Sequence, residues 1–171
     1  MLSILWTLLL VTSSNQPVIK PLAPIPTWAQ VRWQAINLDG AFSRAAYAQP
    51  GFLQADFNGD GQRDIAILIT RKQNRSQGLV ILHRGQTAYH VLGAGSPYIT
   101  DMLYSSFGWV TYWKLYINTS TFEVLFDKSG EMNGERNVRL RHPAIEIGKE
   151  EVGGGMIYWN GKKYVWLHQS C

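Results

Sequence analysis

The chain is short of cysteine, of clustered charge and of long apolar runs, and each shortage removes a class of protein. Cys171 is the single cysteine and the last residue, so no internal disulfide forms and the thiol is either free or intermolecular. Charged residues make up 16% of the chain, and the net charge of +4 is scattered over Arg71, Lys72, Arg75, Arg136, Arg139, Arg141, Lys162 and Lys163. No helix or aromatic platform accompanies Arg71 to Arg75, so the group reads as a solvated turn, and a nucleic-acid partner is not expected. The apolar stretch at residues 1–11 is far below the roughly 20 residues that cross a bilayer, so no stable membrane span is expected in the mature protein. There is no Gly-x-Ser-x-Gly elbow and no Cys/His pairing. The step Gly93-Ala94-Gly95 runs into Pro97 without the further glycine and helix of a dinucleotide site. His83, His90, His142 and His168 fall at no metal-ligand spacing, and Glu146, Glu150 and Glu151 beside Lys149 read as a solvated turn rather than a glycosidase pair. On motifs, no enzyme is expected.

What the chain does contain is Asp56-Phe57-Asn58-Gly59-Asp60-Gly61-Gln62-Arg63-Asp64, followed at once by the apolar run Ile65 to Ile69. Calcium takes about six to eight oxygen ligands, and a short loop supplies them from alternate positions around a sharp turn. Asp56, Asn58 and Asp60 fall at positions 1, 3 and 5, Gly61 at the turn, the Gln62 carbonyl at position 7 and Asp64 at position 9. Carboxylates this close repel one another, and a divalent cation removes the repulsion. A helical calcium hand needs a bidentate Glu at position 12, but Ile67 stands there in a β-branched run, so a strand must follow. An Asx-rich turn without metal is the competing reading of the same residues.

On Asp56, Asn58, Asp60, Gly61 and Asp64 the loop resembles the FG-GAP or VCBS-type repeat, found in integrin α-subunit propellers and in secreted bacterial proteins. The closing Tyr158-Trp159-Asn160-Gly161-Lys162-Lys163-Tyr164 is similar, more loosely, to the end of small secreted proteins carrying one such loop. The resemblance implies a Ca2+ cofactor, an extracellular setting and a protein partner. A propeller requires several blades, and this sequence has one copy of the loop; residues 127–135 have the wrong spacing for another.

Residues 1–14 resemble a signal peptide, with Ser13 and Ser14 as a cleavage zone, although the only positive charge ahead of the apolar stretch is the α-amino group. A secreted or periplasmic location follows from that expectation. Residues 15–27, with Pro17, Pro21, Pro24 and Pro26, form a linker or a tail along a surface, and 28–171 a single β domain. Asp39 caps a short helix suggested by Phe42, Ala45 and Ala46 and ended by Pro50-Gly51.

Strands are predicted over 52–55, 65–70, 78–83, 87–92, 108–118, 121–126 and 144–147, with a long polar loop at 127–137. The run at 65–70 has no polar alternation, so it is central and covered on both faces. Asn160-Gly161 predicts a two-residue hairpin pairing Trp159 with Lys162 and Ile157 with Tyr164. That places Ile157, Trp159, Tyr164 and Trp166 on one face and Met156, Tyr158, Val165 and Leu167 on the other. The expected fold is mainly β: a small antiparallel sandwich or curled meander with one short N-terminal helix, not a complete propeller. The function that fits is an exported, calcium-stabilised, non-enzymatic module binding a protein. The alternative is a carbohydrate-binding module stacking sugars on Trp109, Trp113, Trp159 and Trp166, against which stands their use in the core. A hydrolase ranks below both.

Overall fold

The computed structural model describes residues 22–95 and 105–169, so the expected signal peptide, most of the linker and Cys171 lie outside the described residues. Among the described residues the molecule is mainly β, with several antiparallel sheets that close into neither a barrel nor a propeller, and two helices.

The first sheet is built on β3 (Asp64–Arg71). One edge of β3 carries β4 (Gln77–Leu82), which in turn pairs with β5 (Tyr89–Gly93). The other edge is shared: β2 (Phe52–Ala55) lies along the first half of β3 and β1 (Phe42–Arg44) along the second. This strand is central, and Ile65 to Ile69 are all buried. Its two faces serve different layers. Ile65, Ile67 and Ile69, with Val80 and Leu82, pack on Ala29, Trp33 and Leu38 of the helical layer. Ala66 and Leu68, with Leu79 and Ile81, face the second sheet. The apolar run without alternation is therefore the signature of a strand sandwiched on both sides.

The second sheet runs β11 (Tyr164–His168), β10 (Gly153–Trp159), β9 (Ala144–Lys149), β6 (Tyr112–Tyr116). Its inner face sends Trp113, Ile145, Ile147, Ile157, Tyr164 and Trp166 into the core between the sheets. Its outer face holds Ala144, Met156, Tyr158 and Leu167, joined by Leu140 and Val138. A separate hairpin, β7 (Ser120–Phe126) and β8 (Met132–Arg139), is tied to the end of β11 by Gln169, which contacts Thr121 Oγ1 and the Phe122 carbonyl.

Four local expectations are corrected. The helix expected after Asp39 is a single turn, α2 (Leu38–Ala41), and the chain then enters β1, because the outer half of β3 needs a partner and Phe42 is buried against the helical layer. Asp39 accepts a hydrogen bond from Trp33 Nε1 at 2.7 Å and caps nothing. The longer helix is α1 (Thr27–Ala35), which starts at the last linker residue. Its Ala29, Val31, Trp33 and Ala35 alternate like a strand, yet the chain turns helical directly after Pro26, whose carbonyl accepts from the Ala29 and Gln30 amides. Ile25 is buried, so the described part of the Pro-rich segment lies along the surface as a tail. The expected long strand at 108–118 shrinks to β6, since Val110 N–H bonds back to Phe107 in a turn.

The polar loop expected at 127–137 is instead a tight turn, held by the Asp127 carboxylate on Ser129 and Glu131, followed by β8. Almost every residue of β8 is exposed, so it has no apolar face to betray it. The last hairpin keeps its predicted faces but shifts register by two: Trp159 pairs Tyr164 and Ile157 pairs Trp166. The loop is the four residues 160–163, with the Asn160 side chain accepting from the Lys162 and Lys163 amides and only Gly161 at positive φ. A two-residue slip preserves which side chains share a face, which is why the core survived the error.

Candidate metal-binding loop and the polar cluster beneath it

Between β2 and β3 the chain must reverse, and residues 56–63 do so as a turn wound around the Asp56 side chain. Asp56 Oδ1 accepts from the amides of Gly59 (2.7 Å) and Asp60 (3.0 Å), and Oδ2 from Gly61 (2.8 Å). Gly61 takes φ 84° and Gly59 φ 79°, the left-handed conformation in which a Cβ is costly. Asn58 Oδ1 accepts from the Asp60 amide at 3.1 Å, Asn58 Nδ2 donates to Asp60 Oδ2 at 3.0 Å, and Asp60 Oδ1 accepts from the Gln62 amide at 2.8 Å. These bonds hold the Asp60 carboxyl below its ordinary value, the Asn58 carboxamide contributing most. Phe57 points the other way, into the core between the sheets.

Asp56, Asn58, Asp60 and the backbone at Gln62 thus gather around one turn. Asp64 does not join them. It is fully buried at the start of β3, with Oδ2 accepting from the Phe57 amide (3.0 Å) and Oδ1 from the Arg84 amide (2.8 Å). Burial raises its pKa even against those two amides. Its position makes it the anchor that ties the loop to the turn after β4. Among the described residues no three His, Cys, Asp or Glu side chains group to hold a metal, so an ion here would rest on a mixed donor set: the Asp56 and Asp60 carboxylates, the Asn58 carboxamide oxygen and the Gln62 carbonyl. Those are hard oxygen donors, and each carboxylate oxygen bonded to one amide keeps a lone pair, so this outer set fits calcium completed by water.

The loop is also a junction. Gly59 lies against the His142 ring, where a Cβ would come within 3.1 Å of Cδ2. His142, just before β9, stacks on Tyr158 at 4.9 Å between centroids and is lowered in pKa by burial, partly offset by Asp56. On the other side Gln62 packs on Gly85, in the turn between β4 and β5. The loop therefore touches a connecting segment of each sheet.

Beneath it lies a cluster that no sequence spacing announces. His83 is buried, with Nε2 2.7 Å from the Tyr164 hydroxyl and Nδ1 3.3 Å from Gln86 Oε1. The His90 ring sits 5.0 Å from His83, and the Trp159 ring 5.2 and 5.1 Å from the two. Burial first, and then the neighbouring His83, push His90 down to about 4. Burial likewise raises the Tyr164 hydroxyl. Both His83 nitrogens are thus engaged, and the two imidazoles, the Tyr164 ring and the Trp159 ring pack together as one cluster.

The four tryptophans do not form a shared exposed platform. Trp113 and Trp166 are 2% and 6% exposed, enclosed between the sheets, which removes them from any sugar-stacking surface. Trp109 and Trp159 are half-buried against the same core. No helix among the described residues is long and apolar enough to cross a membrane. No protein-family model, curated protein or solved structure matches this chain.

Proposed function

We propose that this chain is an exported β module that binds a protein partner without catalysing a reaction, and that calcium in the 56–64 loop fixes its working shape. The observation that carries the reading is the placement of the loop: Asp56, Asn58 and Asp60 converge on a turn that contacts His142 beside the second sheet and Gly85 of the first. A cation there would order, through four protein oxygens, the loop that makes these two contacts. Export rests on the apolar stretch of residues 1–11, and the non-enzymatic reading on the sequence motifs set out above. Calcium at about 100 times its Kd would add about 2.7 kcal/mol to stability. The test is a thermal melt in calcium and in chelator, together with calcium-dependent cross-linking in the native envelope. Calcium should raise the wild-type Tm, Asp60→Ala should abolish that rise, and the cross-linked protein should depend on both. An unchanged wild-type melt leaves the loop a plain Asx turn.

Carbohydrate binding keeps one supporting feature, which is not the tryptophans. A cleft of about 480 Å3 on the outer face of the second sheet is walled by Tyr112, Tyr116 and Phe122, floored by Gly153 and Gly154, and offers Glu146 and Asn137. Silence on a glycan array at millimolar sugar would remove this reading.

A further inference from the structure

A second cleft of about 480 Å3 opens between the exposed side of α1 and the turn joining β4 to β5. Its walls are Trp28, Val31 and Arg32 from the helix, Arg84 and Gln86 from the turn, and Gln62 from the loop. Every long polar side chain at its rim can donate hydrogen bonds, and no Asp or Glu lines it among the described residues. The Arg84 guanidinium stands 5.9 Å over the Trp28 ring, which restrains it above the opening. Arg32 Nε is buried with no hydrogen-bond partner among the described residues. Neither arginine belongs to an ion pair there, whereas Glu146 and Glu123 take Lys114 and Arg136. Two guanidinium groups outside any ion pair among the described residues, flanked by two carboxamides and an indole face, form a site for a planar anion. Val31, 59% exposed at the same rim, adds an apolar shoulder that suits a peptide chain better than a free ion.

We infer that this cleft docks an acidic segment of the protein partner, a Glu or Asp carboxylate lying between Arg32 and Arg84. The inference rests on the reading of the chain as a protein-binding module, and it names the surface and the chemistry of the contact. The loop contributes Gln62 to the cleft, so the calcium loop and the docking surface are neighbours, but the carboxylate contacts belong to the arginines.

The test is fluorescence anisotropy with labelled hexaglutamate, with hexaglutamine as the neutral counterpart, at low salt and with calcium present. Hexaglutamate should bind, and hexaglutamine at least about tenfold more weakly. Arg32→Gln and Arg84→Gln should each weaken hexaglutamate by about tenfold. Arg75→Gln, the same charge change in the turn between β3 and β4, should leave it unchanged. Arg75 and Arg84 are exposed and Arg32 is partly buried, so equal Tm values are required to show that each variant folds. No binding by the wild type at millimolar peptide, equal binding of the two peptides, an equal effect of Arg75→Gln, or full displacement by millimolar inorganic phosphate would each overturn the assignment. A melt that ignores calcium while the peptide series behaves as expected would remove the metal from the loop and leave the cleft standing.

Discussion

Asp64 separates a structural anchor from a metal ligand, and its replacement gives a measurable distinction. Its carboxylate accepts two amides, Phe57 at 3.0 Å and Arg84 at 2.8 Å, and the side chain is sealed from solvent. Asp64→Ala strands both donors. An unsatisfied buried donor costs about 1–3 kcal/mol, so the gross loss is roughly 2–6 kcal/mol. Part is returned, because burying the carboxylate was itself unfavourable, as its raised pKa records. A net loss of about 2–4 kcal/mol remains, which in a chain of this size is a Tm drop of roughly 5–15 °C. Asp64→Asn keeps one acceptor but turns an N–H toward the other amide, so it should lose about 1–3 kcal/mol. Both losses should be the same in chelator and in calcium. Asp60→Ala should behave in the opposite way, costing under about 1 kcal/mol in chelator and erasing the response to calcium. Urea unfolding followed by tryptophan fluorescence, with an unchanged slope, reads all three. An Asp64→Ala protein as stable as wild type in chelator but blind to calcium would refute the anchor and make Asp64 a ligand.

Gly155→Ala should cost about 1–3 kcal/mol in the same assay, because a Cβ there drives into the Trp166 ring and the Leu167 carbonyl, while Gly130→Ala, whose Cβ meets nothing but whose φ is 84°, should cost less. Stability should fall on acidification between about pH 6.5 and 4. His90 is depressed to about 4 in the fold, so in that window the unfolded chain binds the proton more readily, and the native state loses ground as pH drops. His142, also lowered by burial, adds to the same slope. His90→Gln should flatten a plot of Tm against pH over that range, and an unchanged slope would show that His90 titrates normally.

Legibility from the sequence followed how each residue meets solvent. The run Ile65 to Ile69 could be read as a doubly covered strand because burial on both faces leaves no polar position in it. The hairpin of β10 and β11 showed its faces because one side meets the inter-sheet core and the other a separate apolar cluster. By contrast, β8 is exposed along nearly its whole length and is held by pairs such as Glu123 with Arg136, so composition alone made it look like a loop. Helix α1 buries only Ala29 and Trp33, too narrow a stripe to impose a helical period on nine residues.

The 56–64 loop shows where the division falls. Its turn is local chemistry: Asp56 reaches amides three to five positions ahead, and the glycines adopt the conformation that only they adopt cheaply, so the sequence determined it. The fate of Asp64 was not local. The amide it holds on Arg84 lies 20 residues away, and the pairing of β3 with β4 alone brings that amide to it. The same holds for His83 and Tyr164, 81 residues apart, and for the cleft of Trp28, Arg32 and Arg84, assembled from a helix and a turn. Hydrogen-bond reach along the chain fixes a turn, whereas which polar groups are buried together depends on which layers pack, and that was decided by the tertiary structure.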